Sequence, residues 1–263
     1  MKTILLQGDI PVNCYIIEDA GQCYIVDPGF EKERLINYVS DLSLDVIGII
    51  LTHAHFDHIG AIDAFEVPVY IHKEELIILN DGFKNGFSYE GRHMAFDMNK
   101  IDIIPITETT SLQLNAKPID VIWTPGHTPG GICLKYKNDL ITGDTLFKDS
   151  VGQWDFPNGN QTDLKDSIFS LIDQFDPATT IYPAHGQPST IGHEIQSNMF
   201  IQHWKNTGHI FKGKNYKRFQ EARVFLDNHQ FNEAKLILEE LIKLNDPNPL
   251  IHMYYHFINQ KDS

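Results

Sequence analysis

Three histidines and an aspartate lie within six residues of one another, directly after an apolar run. The segment reads Thr-His-Ala-His-Phe-Asp-His, and its potential ligands are His53, His55, Asp57 and His58. Neutral imidazole and carboxylate are ligands that borderline divalent metals take. Because residues i and i+2 of an extended chain point to the same side, His53 and His55 can share one ion. Asp57 and His58 lie where residues 56–64 turn into a helix, and they can face a second ion. A chance cluster of surface histidines is the alternative interpretation.

Three glycine-punctuated turns further along the chain offer the additional ligands that a metal site needs. They are Thr-Pro-Gly-His-Thr-Pro-Gly around His127, Thr-Gly-Asp-Thr around Asp144, and Tyr-Pro-Ala-His-Gly around His185. Each turn follows a short apolar run that predicts a strand. With the first four residues they give seven candidate ligands, which is too many for one tetrahedral ion. The residues therefore favour a site with two metal ions.

These motifs, together with Asp27-Pro28-Gly29 upstream, resemble those of the metallo-β-lactamase-fold hydrolases. The motifs follow the family's order, and the resemblance extends over about residues 1–204. It implies that Asp27 is a structural aspartate and that the seven ligands divide between two metals. By this resemblance the first metal is held by His53, His55 and His127, the second by Asp57, His58 and His185, and Asp144 bridges them.

A bridging aspartate also has an electrostatic reason, because two cations at close range repel unless anions lie between them. A bridging hydroxide would add to this screening. It would also be a nucleophile at neutral pH, since metal binding lowers the pKa of water to about 7. We therefore expect two divalent ions, zinc first, with iron or manganese as alternatives. Catalytic roles are expected for Asp57, His58 and Asp144.

The spacing of apolar residues predicts alternating strands and helices over residues 1–205. Strands are predicted at 3–6, 15–18, 22–26, 46–51, 68–71, 119–123, 131–136, 139–142 and 180–182. Helices are predicted at 31–42, 73–79 and 163–174, the last from apolar residues at helical spacing. This order suggests sheets packed face to face with helices outside. The resemblance names the fold, an α/β αββα sandwich of the metallo-β-lactamase type with metals at the sheet edge.

Residues 206–263 differ in character and predict a small helical tail. Its three helices are predicted at 216–228, 231–244 and 249–259. Ala222 and Ala234 are small residues at which two helices could pack closely. The pattern is similar to one tetratricopeptide repeat, and such arrays generally need about three repeats. We therefore expect the tail to dock on the body or on a second copy of the chain, or to contact another protein.

Residues 80–117 show no steady period, although they are rich in aromatic residues and methionine. Those residues are Phe83, Phe87, Tyr89, Met94, Phe96 and Met98. One interpretation is a mobile lid that closes an apolar wall over the substrate. The other is a loop with a small core of its own. Further on, the glycine-containing residues 152–159 follow Asp144 and are expected to shape the mouth of the pocket. Within them Trp154 is either a substrate wall or a packed aromatic residue, and Lys148 is a candidate substrate contact.

Composition favours a cytoplasmic enzyme that acts on a small molecule. The chain has 263 residues, 42% of them hydrophobic, and a formal net charge of -14, which gives no support for a nucleic-acid surface. No apolar stretch approaches the ~20 residues that span a bilayer, and the start is too poor in apolar residues for a secretory signal. Cys14, Cys23 and Cys133 indicate reduced thiols, with a Cys14–Cys23 bridge as the alternative.

The expected reaction follows from the leaving group and from the resemblance. A metal-activated hydroxide attacks a carbonyl, and a thiolate leaves readily because the pKa of a thiol is about 8.5. No spare general acid is evident near the motifs, which favours a thioester. Residues 126–131 and 142–147 are similar to the glyoxalase II-like branch. This similarity implies hydrolysis of a hydroxyacyl thioester of a small thiol.

Several features depart from that branch and leave the thiol and the acyl group open. Related proteins often carry arginine where this chain has Gln153, and no basic residue of the tail junction aligns with a thiol-binding residue. Those basic residues are Lys212, Lys214, Lys217 and Arg218. The alternatives are a persulfide dioxygenase with one iron on His53, His127 and Asp144, a lactone or other ester hydrolase, and an inactive metal-binding scaffold. Lactam hydrolysis is disfavoured, because the enzymes that perform it are exported and generally lack an aspartate at the Asp144 position.

Overall fold

Two six-stranded sheets form the body of the molecule. The computed structural model describes residues 1–88, 96–108, 110–207, 216–228, 230–244, 251, 254–255 and 258–259. The first sheet contains, in spatial order, β1 (Lys2–Leu6), β2 (Val12–Asp19), β3 (Gln22–Val26), β4 (Asp45–Ile50), β5 (Val69–His72) and β6 (Ile103–Ile106). The second contains β7 (Ser111–Leu114), β8 (Lys117–Trp123), β9 (Ile132–Tyr136), β10 (Asp139–Gly143), β13 (Thr180–Pro183) and β14 (Ser189–Thr190). Between β10 and β13, β11 (Leu146–Phe147) and β12 (Ser150–Val151) form a separate hairpin.

Strand β2 shows why the sheets pack face to face. Successive side chains of a strand point to opposite faces, so Tyr15 and Ile17 join the core between the sheets while Cys14 and Ile16 join a core outside the first sheet. Helix α1 (Lys32–Asp41) covers that outer core. Helix α4 (Gln161–Gln174) covers the outer face of the second sheet, so the layers follow the order helix, sheet, sheet, helix. The predicted αββα sandwich is confirmed.

Short helices and α4 complete the body. They are α2 (Phe56–Ile59), α3 (Leu76–Leu79), α4 (Gln161–Gln174), α5 (Ile191–Ser197) and α6 (Met199–Thr207). A 3-10 turn at Lys73–Glu75 precedes α3. Helices α4 to α6 pack on the outer face of the second sheet. Neither α5 nor α6 was predicted, and α6 runs across the domain boundary predicted at residue 205.

The tail is helical where the structure describes it, and it packs on the body. Helices α7 (Tyr216–Asp227) and α8 (Phe231–Lys243) meet at Ala222 and Ala234, which are both fully buried. Residues 251, 254, 255, 258 and 259 are helical, while the rest of the predicted third helix lies outside the described residues. Phe83 and Phe156 of the body contact the same core. The tail thus contacts the body, which is one of the expected alternatives, while a contact with a second copy of the chain or with another protein stays a prediction.

Residues 80–117 contain more regular structure than predicted. Strands β6 and β7 and the start of β8 lie here, and so does a 3-10 turn at Met98–Lys100. Both strands were missed because they are four-residue edge strands, and Pro105 interrupts the strand pattern of β6. Phe87 and Phe96 are buried in the outer core of the first sheet, which does not match a free lid. Tyr89 and Met94 lie outside the described residues.

Two further expectations concern a disulfide bridge and a membrane-spanning helix. Cys14, Cys23 and Cys133 are all free and buried, so the alternative Cys14–Cys23 bridge is not formed. Among the described helices, none combines the length and the apolar character that crossing a membrane requires.

Candidate metal centre

The seven candidate ligands follow the carboxyl ends of four strands, on loops or, for Asp57 and His58, in the short helix α2. His53, His55, Asp57 and His58 follow β4 of the first sheet. His127, Asp144 and His185 follow β8, β10 and β13 of the second. The backbone joins the two sheets here, because the N–H of Asn13 donates to the carbonyl of Ala184 (2.7 Å) and the N–H of Ile132 to that of Thr52 (3.0 Å).

The first group of ligand atoms is a triangle of imidazole nitrogens. Nδ1 of His55 lies 3.1 Å from Nε2 of His53 and 2.9 Å from Nε2 of His127. The third side, between Nε2 of His53 and Nε2 of His127, is 3.3 Å. Ligand nitrogens about 2.0–2.1 Å from a tetrahedral zinc ion lie roughly 3.3 Å apart. The three side chains therefore fit a metal ion.

The second group contains one carboxylate and two imidazoles. Oδ2 of Asp57 lies 3.2 Å from Nε2 of His185 and 3.5 Å from Nε2 of His58. Within the described residues, Nε2 of the fully buried His58 has no hydrogen-bond partner. Because buried polar atoms are normally bonded, an ion between these three side chains would satisfy this nitrogen.

Asp144 lies between the two groups, with one oxygen facing each. Its Oδ2 is 3.5 Å from Nε2 of His127 in the first group. Its Oδ1 is 3.5 Å from Nε2 of His185 and 3.6 Å from Nε2 of His58 in the second group. Oδ1 is also buried without a hydrogen-bond partner among the described residues. This is the arrangement that a bridging carboxylate requires.

Oxygen atoms lie behind four of the histidine rings, as hydrogen-bond partners of His53, His127 and His185 and as a close charged contact of His58. Such contacts hold ligating imidazoles in one tautomer and one orientation. The pairs are His53 Nδ1 with Thr52 Oγ1 (3.2 Å), His58 Nδ1 with Asp27 Oδ2 (3.0 Å), His127 Nδ1 with the carbonyl of Gln153 (2.5 Å) and His185 Nδ1 with the carbonyl of Pro11 (2.7 Å).

Asp27 links the ligand segment to the strand before it. Its carboxylate accepts hydrogen bonds from the N–H of Thr52 (2.8 Å) and from the Thr52 hydroxyl (2.7 Å). Its φ of 54° lies in the left-handed region, which is uncommon for a residue other than glycine. These contacts agree with the structural role that the sequence resemblance implied.

Glu75 ties the two ligand loops of the first group together, and sequence reasoning missed it. Its Oε2 accepts from the N–H of Ala54 (2.9 Å), and its Oε1 accepts from the N–H of Gly130 (2.7 Å). A Cβ at Gly130 would lie 2.8 Å from the Glu75 side chain, so the close approach requires glycine. Burial raises the pKa of Glu75 to about 7, against the hydrogen bonds that lower it. No sequence pattern pointed to this role, because Glu75 is one of two adjacent glutamates and nothing in the pattern distinguishes it from Glu74.

The two groups differ in their electrostatics. Burial, together with neighbouring imidazoles, lowers the pKa of His53 and His55 well below the usual value. Burial also acts to lower the pKa of His58 and His185, but the nearby carboxylates raise it to about 10 and about 9. The first group thus presents neutral rings, while the second holds protons that a metal ion would displace.

A cavity of ≈ 350 Å³ opens beside the ligands, a volume typical of small-molecule sites. Its lining outside the ligands is Ile10, Phe56, Lys84, Asn85, Gly86, Phe147, Val151, Gln153, Phe156 and Pro157. The two predicted substrate contacts, Lys148 and Trp154, do not line it. Lys148 is exposed, and Trp154 packs on Phe200 with ring centroids 5.9 Å apart. Of the two interpretations of Trp154, the packed aromatic residue matches the structure.

Two further residues of the wall are Lys84, which sequence reasoning did not assign, and Phe156, which lies in the segment 152–159 that was expected to shape the mouth of the pocket. Phe156 is two residues after Trp154, and its ring centroid lies 5.3 Å from that of His55. Lys84 lies in the poorly periodic stretch 80–117. The position of Phe156 in the loop after Asp144 is a sequence signal for a cavity residue. The sequence around Lys84 carries no such signal.

A model of the metallo-β-lactamase superfamily matches residues 7–185, which include all seven candidate ligands. The chain belongs to the metallo-β-lactamase superfamily. The matched region ends before helices α7 and α8. A chain of this superfamily with these ligand groups is a metal-dependent hydrolase.

Individual members of the superfamily are similar over most of their own length. The hydroxyacylglutathione hydrolase GloC of Haemophilus influenzae is 34% identical, over 72% of this chain and 92% of GloC. The crystal structure of BLEG-1 B3 metallo-β-lactamase is 36% identical with a TM-score of 0.70, covering 76% of this chain and 98% of BLEG-1. The crystal structure of TTHA1623 in a di-iron-bound form is 31% identical with a TM-score of 0.67, covering 76% of this chain and 100% of TTHA1623.

Proposed function

We propose that this chain is a binuclear metal-dependent thioesterase that hydrolyses a hydroxyacyl thioester of a small thiol. The observation that carries the proposal is the position of Asp144, whose two oxygens face different ligand groups at 3.5 Å from His127 and 3.5 Å from His185. A carboxylate in this position serves two ions better than one. The di-iron form of TTHA1623 supports a centre of this kind.

In this proposal every candidate ligand has a place. His53, His55 and His127 hold one ion, Asp57, His58 and His185 hold the other, and Asp144 contacts both. Nitrogen-rich ligand sets favour zinc, with iron or manganese as alternatives. When bound, two such ions supply a water molecule that ionises near neutral pH and a Lewis acid for the developing oxyanion.

The protein's own side chains shape the environment of the reaction. Phe56, Phe147 and Phe156 give the cavity an apolar wall beside the candidate ligands. Electrostatic interactions are stronger where water is excluded. Asp144 lies between the two ligand groups, so its negative charge screens the repulsion between two cations. The rings fixed by Asp27, Thr52 and two carbonyl groups need no reorganisation when metal binds.

The ionisable groups of the cavity favour a thioester. Among the described lining residues, Lys84 is the one ionisable side chain outside the candidate ligands. No carboxylic acid or tyrosine in this lining is free to protonate a departing alkoxide or amine. A thiolate needs little such help, because the pKa of a thiol is about 8.5. Similarity to the hydroxyacylglutathione hydrolase GloC supports the same substrate class.

A substrate panel tests the proposal. The protein loaded with zinc, manganese or iron is assayed with S-lactoylglutathione, other lactoyl thioesters, a lactone, a β-lactam and glutathione persulfide, and its metal content is measured. We expect about two ions per chain and thioester hydrolysis as the fastest reaction. Oxygen consumption with the persulfide by a one-iron protein, or lactone or lactam hydrolysis without thioester hydrolysis, would overturn it.

A further inference from the structure

We infer that Lys84 binds an anionic group of the substrate, so that the enzyme selects thioesters that carry a carboxylate. The assumption that the substrate is a thioester rests on the proposed function. The preference for an anion rests on the cavity and on the surroundings of Lys84.

Lys84 is buried but lines the cavity that contains the ligands. It is only 7% exposed, and it shares the lining with Asp57 and Asp144. Within the described part of the chain, its ammonium group has neither a hydrogen-bond acceptor nor an ion-pair partner. The half-buried Lys32, by contrast, lies 2.8 Å from Asp63 and is paired. A buried cation without a counter-charge is costly, so an anion that enters the cavity stabilises it.

The carboxylates already present in the cavity are engaged elsewhere. Asp57 faces His185 at 3.2 Å, and Asp144 faces His127 and His185 at 3.5 Å each. In the loaded protein both would contact metal ions. Among the described lining residues, the cavity therefore offers Lys84 no free carboxylate, and a negative group of the substrate would fit it.

The turn that carries Lys84 is fixed against the ligand segment. Asp81 Oδ1 accepts from the backbone N–H of Phe83 (3.0 Å) and of Lys84 (3.3 Å). The carbonyl of Asn85 accepts from the N–H of Phe56 (2.8 Å), which lies between the ligands His55 and Asp57. A Cβ at Gly86 would lie 2.8 Å from the Phe56 ring, so the turn approaches as closely as glycine allows. The backbone of Lys84 therefore keeps a defined position relative to the metal ligands.

The tail holds the same turn from its other side. Phe83 is buried in the core of the tail, with its ring centroid 5.4 Å from that of Phe231. The residues on both sides of Lys84 are thus anchored, and Lys84 itself lines the cavity. A cation carried on a fixed stretch of backbone beside the ligands can select substrates by charge.

Matched substrates test this inference by kinetics. Lactoyl thioesters of 3-mercaptopropionate and of 3-mercaptopropionamide differ by one charge and little in shape. We expect the wild-type protein to prefer the anionic thioester in kcat/KM by about tenfold or more, the effect of one charge-assisted hydrogen bond. The Lys84→Met variant should lose that preference, and Lys84→Arg should keep most of it. A preference unchanged in Lys84→Met would overturn the inference.

Binding of stable analogues separates this inference from the proposed function. The corresponding thioethers, with the carbonyl replaced by a methylene group, cannot be hydrolysed. Calorimetry on the metal-loaded protein should give a Kd about tenfold lower for the carboxylate thioether than for the amide thioether. This difference should persist in Lys84→Arg and disappear in Lys84→Met. If no thioester is hydrolysed but this difference is found, the proposed function fails and the anion site stands.

A surface lysine provides the control. Lys100 has a side chain that is 81% exposed and lies 3.8 Å from Asp97. Lys100→Met removes the same charge from the protein but not from the cavity, and the carboxylate preference should persist. If Lys100→Met and Lys84→Met reduce the preference equally, or if wild type binds both thioethers alike, Lys84 has no specific role.

Discussion

The rings of Phe156 and His55 lie with their centroids 5.3 Å apart and their planes at 67°. Phe156 also packs against the core formed by α7 and α8, so one side chain contacts both a candidate ligand and the tail. Arg223 of α7 donates to the carbonyl of Phe156 and, at 3.1 Å, to that of Gly159. The tail therefore supports one wall of the cavity, although it supplies none of the seven candidate ligands.

Replacing Arg223 should weaken substrate binding more than metal binding. Arg223→Met removes the donor of both hydrogen bonds to the loop of Phe156, and bonds to charged groups contribute about 1.5–3 kcal/mol each. We expect KM for the preferred thioester to rise by about tenfold while metal content stays the same. Kinetics and metal analysis of the purified variant check both statements.

Arg218 of the same helix gives the control for this change. It is paired at the surface with Glu221 (2.6 Å) and Glu240 (2.7 Å). Arg218→Met should leave KM within about twofold, since exposed ion pairs contribute little. Equal effects of the two variants, or metal loss in Arg223→Met, would contradict a specific support of the cavity wall.

Replacing Asp144 should weaken both metal sites together. Asp144→Asn keeps the shape of the side chain but removes the charge that faces the two ligand groups. We expect fewer than two tightly bound ions per chain, weaker binding of the ions that remain, and activity lower by at least about 100-fold. Metal titration followed by the thioester assay measures this.

Asp166→Asn is the control, since it removes a carboxylate from the surface of α4. The Asp166 side chain is 67% exposed and lies 3.6 Å from Lys165, outside the candidate ligand groups. Metal content and activity should stay at wild-type values. Loss of a single ion in Asp144→Asn, with the second bound as tightly as before, would show that the carboxylate belongs to one site.

The pH dependence of stability should reveal the buried Glu75. Burial raises its pKa in the folded chain to about 7, above the ordinary value of 4.5. Ionisation of Glu75 therefore opposes folding, and stability is lost as the pH rises from about 4.5 to about 7, on the order of 3 kcal/mol in total. In Glu75→Gln this part of the pH dependence should disappear.

Denaturant unfolding of the metal-free protein at several pH values tests this expectation. The difference between wild type and variant cancels the titration of the histidines, which both share. Glu74→Gln is the control, because the Glu74 side chain is 52% exposed, and its profile should follow wild type. Parallel profiles for wild type and Glu75→Gln would refute the raised pKa.

Removing metal should lower the thermal stability of the protein. An ion that binds only the folded state stabilises it by about 4 kcal/mol at a concentration 1,000 times its Kd. For a chain of this size that corresponds to a Tm about 10 °C higher. Scanning calorimetry with and without a chelator measures the difference, and added zinc should reverse it. An unchanged Tm after complete metal removal would show that the ligands are not joined by an ion in the folded state.

The gathering of the seven candidate ligands was predictable because each lies in a local motif. His53 to His58 follow a strand without a break, and His127, Asp144 and His185 each stand in a glycine-containing turn after another strand. The strands bring these turns to one edge, so spacing along the sequence carried most of the information about the ligands.

The surroundings of the ligands were not predictable in the same way. Glu75 acts through two backbone N–H groups that are 21 and 55 residues away from it. Phe156 and Lys84 become cavity residues only because the tail and α2 pack where they do. Pairings of this kind depend on the tertiary fold, and neither residue type nor periodicity reports them.

The position of the ligands on both sheets has a consequence for how the protein matures. The first and last of them are His53 and His185, so a nascent chain that ends before β13 presents only part of the set. The first group, His53, His55 and His127, is already complete in such a chain, whereas the second group lacks His185. An ion in the second group would therefore require the last strands of the second sheet, while an ion in the first group would not.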